Sequence, residues 1–286
     1  MTRIAYVNGA YLPAAEATVS IFDRGFLFAD GVYEVTAVLD GRLIDADAHF
    51  ARLERSLREL DMAWPVTKEA LLDVHRELIV RNDLSSGGVY MQITRGVAER
   101  DFAYPADTPT TLIAFTQPKE LLDPPAARTG VAVVTVPDIR WQRRDIKSVA
   151  LLAQAMSKQA ATEKGAYEGW MVEDGYVTEG TASSAFIVTA DDRVITRPLS
   201  HSILPGVTRA ALLRLAEETP VVIEERLFTP DEAYAAKEAF LTSSSSFVMP
   251  IVRIDDRPIG DGQPGPITQT LRRLYIEAAR ESAAAA

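Results

Sequence analysis

Three dipeptides, Asn8-Gly9, Asp40-Gly41 and Asp174-Gly175, each interrupt a pair of short apolar runs. Asn, Asp and Gly accept the positive φ angles that a two-residue hairpin loop demands, so each pair turns the chain back beside itself. Antiparallel sheet is therefore expected over residues 3–12 and 32–44, and again over WMVEDGYVTEG in the second half. Between the hairpins the apolar spacing becomes helical. In DADAHFARLERSLREL, Phe50, Leu53, Leu57 and Leu60 share one face, Arg55 stands nearly opposite and Arg52 lies on the flank. A second helix over 67–81 and strands at VYMQIT and TTLIAF complete an α+β first part.

The stretch 116–130 holds three prolines and no steady period, which predicts a linker. Beyond it, strands at VAVVTV, SAFIVT, VITRP, VVIEERL and AFLTSS alternate with helices at LPGVTRAALLRLAEE and TPDEAYAA. A last hairpin near 251–259 precedes a C-terminal helix with Ile267, Leu271, Leu274 and Ala278 as its stripe. The expected organisation is a small α+β domain over 1–116, a linker over 117–130 and a larger mixed α/β domain over 131–286.

Hydrophobic residues make up 47% of 286, enough to fill large cores. The net charge of -10 argues against nucleic acid or an anionic membrane as partner, Arg140, Arg143 and Arg144 being a local exception. No cysteine is present, which excludes disulfides and thiol chemistry and suits a reducing cytoplasm. His49, His75 and His201 have no ligand spacing, so no metal site is expected. The N-terminal residues lack the apolar run of a signal peptide, and no stretch approaches the length of a membrane span.

Candidate chemistry starts at RRDIKSVALLAQAMSKQAA. Val149, Leu152, Ala153, Met156 and Ala160 recur at helical spacing, with Ser148 as the expected N-cap, so Lys147 stands where a loop enters the interior. An ordinary lysine packs its stem and sends its head to water, and this segment alone does not decide otherwise. LPGVTR places a Gly before a helix, where backbone N–H groups and the Thr208 hydroxyl can meet an anion, although Pro-Gly before a helix is more often a turn and cap. FLTSSSS ends an apolar strand in Ser243 to Ser246, a hydroxyl-rich edge or a solvated loop. Glu179 precedes Gly180 and the small residues Thr181 to Ser184, leaving space for something flat, or else pairs with a surface arginine. Jointly, an amine, an anion seat and a carboxylate beside small residues are what pyridoxal 5′-phosphate needs for its Schiff base, its phosphate and its ring nitrogen.

The segments SIFDRGFLFADGVYEV, the helix with Arg52, DIKS, YVTEG, ILPGVTR and FLTSSSS occur in the order found in class IV aminotransferases, the pyridoxal-phosphate enzymes of fold type IV, which the chain resembles along nearly its whole length. The resemblance implies Lys147 as the Schiff-base lysine and Glu179 as partner of the ring nitrogen. It implies Arg52, Val207, Thr208, Ser243 and Ser244 around the phosphate, with Leu204 against the ring. Lys158 and Lys164, further along the helix, are expected on a solvated face.

Among the family's branches, the chain looks nearest to the D-amino-acid transaminases, implying transfer between a D-amino acid such as D-alanine and a 2-oxo acid such as 2-oxoglutarate. Branched-chain aminotransferases, (R)-amine transaminases and aminodeoxychorismate lyases are the alternatives on the same fold. By that resemblance Tyr33, Val35, Thr181 and Ala182 line the substrate site. TRGVAERDFAYP supplies Arg100 for the substrate α-carboxylate, reaching into the neighbouring subunit of a homodimer. The chain departs from the branch at Phe102, where a histidine is usual, with Asp101 beside it, and at Ala37, where a lysine is common.

Overall fold

A computed structural model describes residues 2–285 of the chain, which forms two compact units. The first runs to Glu120 and includes Ile146–Ala150, and the second comprises Leu121–Asp145 and Leu151–Glu281.

The first unit holds a six-stranded sheet of β1 (Ile4–Val7), β2 (Ala10–Pro13), β3 (Gly31–Leu39), β4 (Arg42–Leu43), β5 (Ser86–Thr94) and β6 (Thr111–Pro118), in the order β2-β1-β6-β5-β3-β4. Every pairing is antiparallel. Asn8-Gly9 and Asp40-Gly41 turn the first and last hairpins with φ of 45 and 99° and of 50 and 74°, the left-handed geometry that their sequence announces. A short α1 (Arg24–Phe28) precedes β3, whereas α2 (Ala46–Glu59) and α3 (Lys68–Arg81) cover the apolar face. Phe50, Leu53 and Leu57 of α2 are buried with Leu71, Val74 and Leu78 of α3, Leu60 being half-buried at the helix end. Burial of large apolar side chains on this scale, each contributing about 1.5–3 kcal/mol, is what holds helices to sheet.

The stretch 116–130 is not a bare connection. It carries the end of β6 and a short α4 (Pro125–Thr129), where Pro125 starts a helical turn with its fixed φ.

In the second unit, β7 (Val131–Pro137), β8 (Glu168–Glu173), β9 (Tyr176–Gly180), β10 (Ser184–Val188), β11 (Val194–Thr196), β12 (Ile223–Glu225), β13 (Glu238–Ser243), β14 (Phe247–Ile254) and β15 (Arg257–Pro258) build one nine-stranded sheet. Its order is β12-β11-β10-β13-β14-β7-β8-β9, with β15 against β14. The pairs β11/β12, β14/β7 and β7/β8 are parallel and the rest antiparallel, a mixed sheet. Four helices accompany the strands: α5 (Leu152–Glu163), α6 (Val207–Ala216), α7 (Pro230–Tyr234) and α8 (Pro266–Ala285). α7 opens with a full capping box between Thr229 and Glu232.

Two helix faces differ from the periodic expectation. α5 begins at Leu152 with Leu151 as a cap that makes no side-chain bond, so Ser148 is not its N-cap. Leu152 and Met156 are 75% and 54% exposed, while Ser157 and Ala161 are buried. Small side chains face the sheet because the helix lies very close to it: a Cβ on Gly169 would stand 2.5 Å from Ser157 Oγ. On α8 the buried set is Thr268, Leu271, Arg272, Tyr275 and Ala279, so of the expected stripe only Leu271 is fully buried. Arg272 is tolerated there because its guanidinium donates to the carbonyls of Ser246, Val248, Leu121 and Leu122 at 2.7–3.0 Å. Among the described residues, no helix is long and apolar enough to cross a membrane.

His75 of α3 is wholly buried, with Nδ1 bonded to the Leu71 carbonyl at 2.8 Å and its ring edge on Phe50. Burial pushes its pKa down to about 4, from an ordinary 6.5. The ring thus binds a proton near pH 5 only in the unfolded chain. Stability is expected to fall as pH drops from 6.5 toward 4, this ring contributing up to about 1.4 kcal/mol per pH unit. Denaturation midpoints of wild type and His75→Met should converge in slope above pH 6.5 and diverge below it.

Candidate active site

In the first unit the lysine segment joins the sheet edge at the start of β3. Tyr33 N–H donates to the Lys147 carbonyl and Val149 N–H to the Gly31 carbonyl, both at 3.0 Å, and Ser148 bridges to Val32. The Lys147 amide also donates to Ser56 Oγ of α2 at 3.3 Å. Ile146 is buried in the core, and Ser148 N–H closes a tight turn about Lys147 onto the Ile146 carbonyl at 2.8 Å. Lys147 Nζ lies 4.3 Å from the Tyr33 ring centroid, a cation–π position on a half-buried side chain. Lys158 and Lys164 are exposed on α5 and just beyond it, as expected.

Arg52 of α2 is buried and locked to Glu34 of β3, Nε to Oε1 at 2.8 Å and Nη2 to Oε2 at 2.7 Å, while His49 Nδ1 meets Oε2 at 2.7 Å. Burial alone would raise the Glu34 carboxyl, but the charge and hydrogen bonds of Arg52, helped by His49, hold it well below the usual carboxylate range. Arg52 is thus fixed in direction from behind. Neither Glu34 nor His49 was expected at the site, and only their places on β3 and on the Arg52 face of α2 could have signalled them.

Arg100 and Phe102 are both exposed on the loop after β5, with the Arg100 guanidinium 5.5 Å from the ring centres of Phe28 and Phe102. The loop is tied by buried Arg24, which donates to the Asp101 carbonyl at 2.6 Å and to Asp30 at 2.8 Å. Arg95 grips the same Asp30 at 2.8 Å.

In the second unit Glu179 is the penultimate residue of β9, only 5% exposed. Both carboxylate oxygens accept the Leu204 N–H at 3.2 Å, and Arg140 Nη1 donates to Oε1. Burial pushes the Glu179 carboxyl up, and the Arg140 charge offsets part of that rise. Arg140 is itself held by Asp138 at 2.7 Å, which also pairs with Arg144 and accepts from Thr178, while Arg144 clasps Glu173 and Arg143 pairs with Asp145. The basic cluster 140–144 is therefore an internal charge network. Arg140 as partner of Glu179 is a contact that the sequence did not single out.

Thr181 and Ala182 follow Glu179 in a turn folded about the start of β8. Thr181 Oγ1 bonds Ser157 Oγ at 2.9 Å and the Gly169 amide at 3.1 Å. Ser183 Oγ donates to buried Glu168, whose pKa burial pushes up to about 7 against the pull of Ser183 and the Ala182 amide.

At the start of α6, Gly206 provides no side-chain cap and the first turn holds no acid. Its closeness to Ser184 is such that a Cβ would stand 2.7 Å from Ser184 Oγ. Ser184 pairs in register with Thr242 on β13. The hydroxyls of Thr208 and Thr242, each 2% exposed, have no hydrogen-bond partner among the described residues. Buried polar groups are normally satisfied, so two orphan hydroxyls beside an uncapped helix N-terminus fit an anionic group such as a phosphate. Val207 is buried in the same turn, Leu204 is half-buried, and Ser243 Oγ bonds Ser246 Oγ at 2.6 Å. Phe247 closes the serine turn with φ of 57°, unusual for a bulky residue and held by complete burial against Tyr275.

The model of the class IV amino-transferase family matches residues 31–254, from the start of β3 to the end of β14. This chain belongs to that family. D-alanine aminotransferase of Bacillus licheniformis is 39% identical over 265 residues, covering 93% of either chain, and the D-alanine aminotransferase of Staphylococcus aureus (strain N315) is 36% identical over 280 residues, covering 95% of this chain and 97% of its own. Among solved structures, the Escherichia coli branched-chain amino acid aminotransferase shares the fold with a TM-score of 0.91, at 22% identity and coverage of 98% and 95%. The T.th. branched-chain amino acid aminotransferase, solved with pyridoxamine 5′-phosphate, has a TM-score of 0.90 at 26% identity, covering 98% of this chain and 94% of its own.

In this aminotransferase, Thr208→Val removes a buried hydroxyl that no neighbour satisfies. Thermal denaturation without ligand should show stability unchanged or raised by about 1 kcal/mol. Equilibrium dialysis should show affinity for a phosphorylated ligand reduced about 10-fold, the loss expected for one hydrogen bond to a charged group.

Proposed function

We propose that this class IV aminotransferase carries pyridoxal 5′-phosphate and transfers an amino group from a D-amino acid, D-alanine in the first instance, to a 2-oxo acid. The observation that carries the reading is Lys147, its carbonyl bonded to β3, its amide to Ser56 of α2 and its amine held over the Tyr33 ring. Identity of 36–39% to D-alanine aminotransferases over nearly the whole chain supports the choice of substrate.

When bound, the cofactor supplies an aldehyde for an amine and a ring that draws electrons from the substrate α-carbon. Lys147 would hold it covalently, Glu179 would face its ring nitrogen and Leu204 would pack beside the ring. Arg52, Val207, Thr208, Ser243 and Ser244 would hold its phosphate, with Arg52 aimed by Glu34 and the two orphan hydroxyls of the α6 region acting as donors. Arg140 keeps negative charge on Glu179 by pairing with it inside the protein, where an isolated carboxylate would tend to neutralise. Lys147 Nζ would take the substrate α-proton as general base. Tyr33, Val35, Thr181 and Ala182 form the substrate walls. Arg100, exposed on its loop, would receive the α-carboxylate in the site of a second subunit, making a homodimer the working unit. Phe102 adds apolar wall where a histidine donor is usual in this branch. A cysteine-free enzyme of this kind suits the reducing cytoplasm.

Borohydride treatment of the holoenzyme followed by digestion is expected to label the peptide containing Lys147, and Lys147→Ala should lower turnover by roughly 10³-fold or more. Label on another peptide, or near-normal turnover of the variant, contradicts the assignment. Half-reactions run one donor at a time should convert the cofactor with D-alanine and D-glutamate. Conversion by L-leucine but not D-alanine would move the enzyme to the branched-chain branch, and pyruvate release without an acceptor would make it a lyase.

A further inference from the structure

The face of the first unit's sheet opposite its helices holds two cross-strand rows of half-buried side chains. Tyr33 pairs with Gln92 and Gln92 with Ile113, while Val35 pairs with Tyr90 and Tyr90 with Phe115. The rings of Tyr33, Tyr90 and Phe115 stack in succession, with centroids 5.6 and 4.7 Å apart. This is an aromatic platform with one amide set into it. Tyr90 Oη donates to Gln92 Oε1 at 2.9 Å, which commits the amide oxygen and turns the two N–H donors of Nε2 elsewhere. Burial, with the nearby Tyr33 hydroxyl, pushes the Tyr90 pKa up to about 12, so the phenol remains a donor throughout the working range.

Gln92 is the register partner of Tyr33, whose ring lies beneath the Lys147 amine. Gln92 and Ile113 also line a cavity of about 290 Å³ with Phe26, Thr94 and Val149, the last only two residues from Lys147. An oriented amide donor at such a place is suited to a carboxylate oxygen. Ala37, on the same strand as Tyr33, provides no cation, and Phe102 no donor, so the amide is a source of recognition that the side chains at those positions do not supply.

We infer that Gln92 donates a hydrogen bond from Nε2 to a carboxylate oxygen of the amino acid and 2-oxo acid substrates, with Tyr90 as the positioning residue that aims it. The inference rests on the proposed aminotransferase reading, and it makes Gln92 a specificity determinant for carboxylate-bearing substrates. Gln92→Leu keeps the volume and removes the donor. Gln92→Glu keeps the shape and adds a repelling charge. Tyr90→Phe leaves Gln92 in place but free to turn.

The experiment measures KM and kcat for D-alanine and pyruvate, and the Kd of propionate, an unreactive carboxylate, by calorimetry on the holoenzyme. Gln92→Leu should raise the D-alanine KM and the propionate Kd about 10-fold or more, with a smaller effect on (R)-1-phenylethylamine, which has no carboxylate. Gln92→Glu should be worse than Gln92→Leu. Tyr90→Phe should lose less, and the double variant Tyr90→Phe/Gln92→Leu should match Gln92→Leu alone, because Tyr90 acts only through the amide. Unchanged propionate affinity in a folded Gln92→Leu holoenzyme overturns the inference, and additive losses in the double variant overturn the role of Tyr90. Wild-type protein that converts no amine defeats the aminotransferase reading instead, and the propionate measurement still decides the role of Gln92.

Discussion

The placement of Lys147 depends on two backbone hydrogen bonds, those joining its segment to the first residues of β3. A lysine side chain has four rotatable bonds and a strongly hydrated head, so an unanchored one would spend its time in water. Here the Lys147 carbonyl and the Val149 amide are paired with a sheet, the Lys147 amide is held by Ser56 of α2, Ile146 is sunk in the core, and the amine sits on an aromatic ring. The entropy lost in holding the amine is distributed over contacts that the fold makes anyway. A residue that would be ordinary on a helix surface thereby holds its amine in one place, as the proposed Schiff base and general base require.

Buried charge is arranged in matched sets, and the sets differ according to the work expected of them. Glu34 meets Arg52 through a two-pronged contact with His49 alongside, and remains ionised far into acid. Glu179 is buried as deeply but shares its arginine with Asp138, and burial wins: its carboxyl is shifted upward. The first acid serves as a fixed counterion that aims a guanidinium. The second lies above its ordinary carboxylate range and is drawn back toward the charged form by Arg140, the form that the proposed contact with a ring nitrogen uses. Identical side-chain chemistry is divided into two roles by the count and geometry of the cations around it.

Much of this was legible in the sequence. The Asn-Gly and Asp-Gly pairs fixed the hairpins because their backbone preference is local, and α2 showed its buried face because large apolar residues occupy it. The site motifs were legible as a set, in chain order, and Thr208 was legible as a donor whose hydroxyl the fold leaves unmet. What escaped detection depends on contacts between residues distant along the chain. α5 buries Ser157 and Ala161 because it lies close to Gly169, and α8 buries Arg272 because four carbonyls converge on it. Hydropathy cannot register either circumstance. Arg140 read as part of a local basic cluster, and its partners Asp138 and Glu179 come from the fold.

The position of β14 in the nine-stranded sheet governs how the molecule can be made. It lies between β13 and β7 and pairs in parallel with a strand more than a hundred residues earlier, Ile251 against Val131. Until residues 247–254 have left the ribosome, the sheet exists as two separate halves with open edges, β13 on one and β7 on the other. Non-local parallel pairing is slow, and unpaired edges attract other chains. Synthesis of this unit therefore passes through a late, adhesive stage, and its yield in a cell is governed by how quickly one hairpin slots into place after nearly all of the chain has emerged.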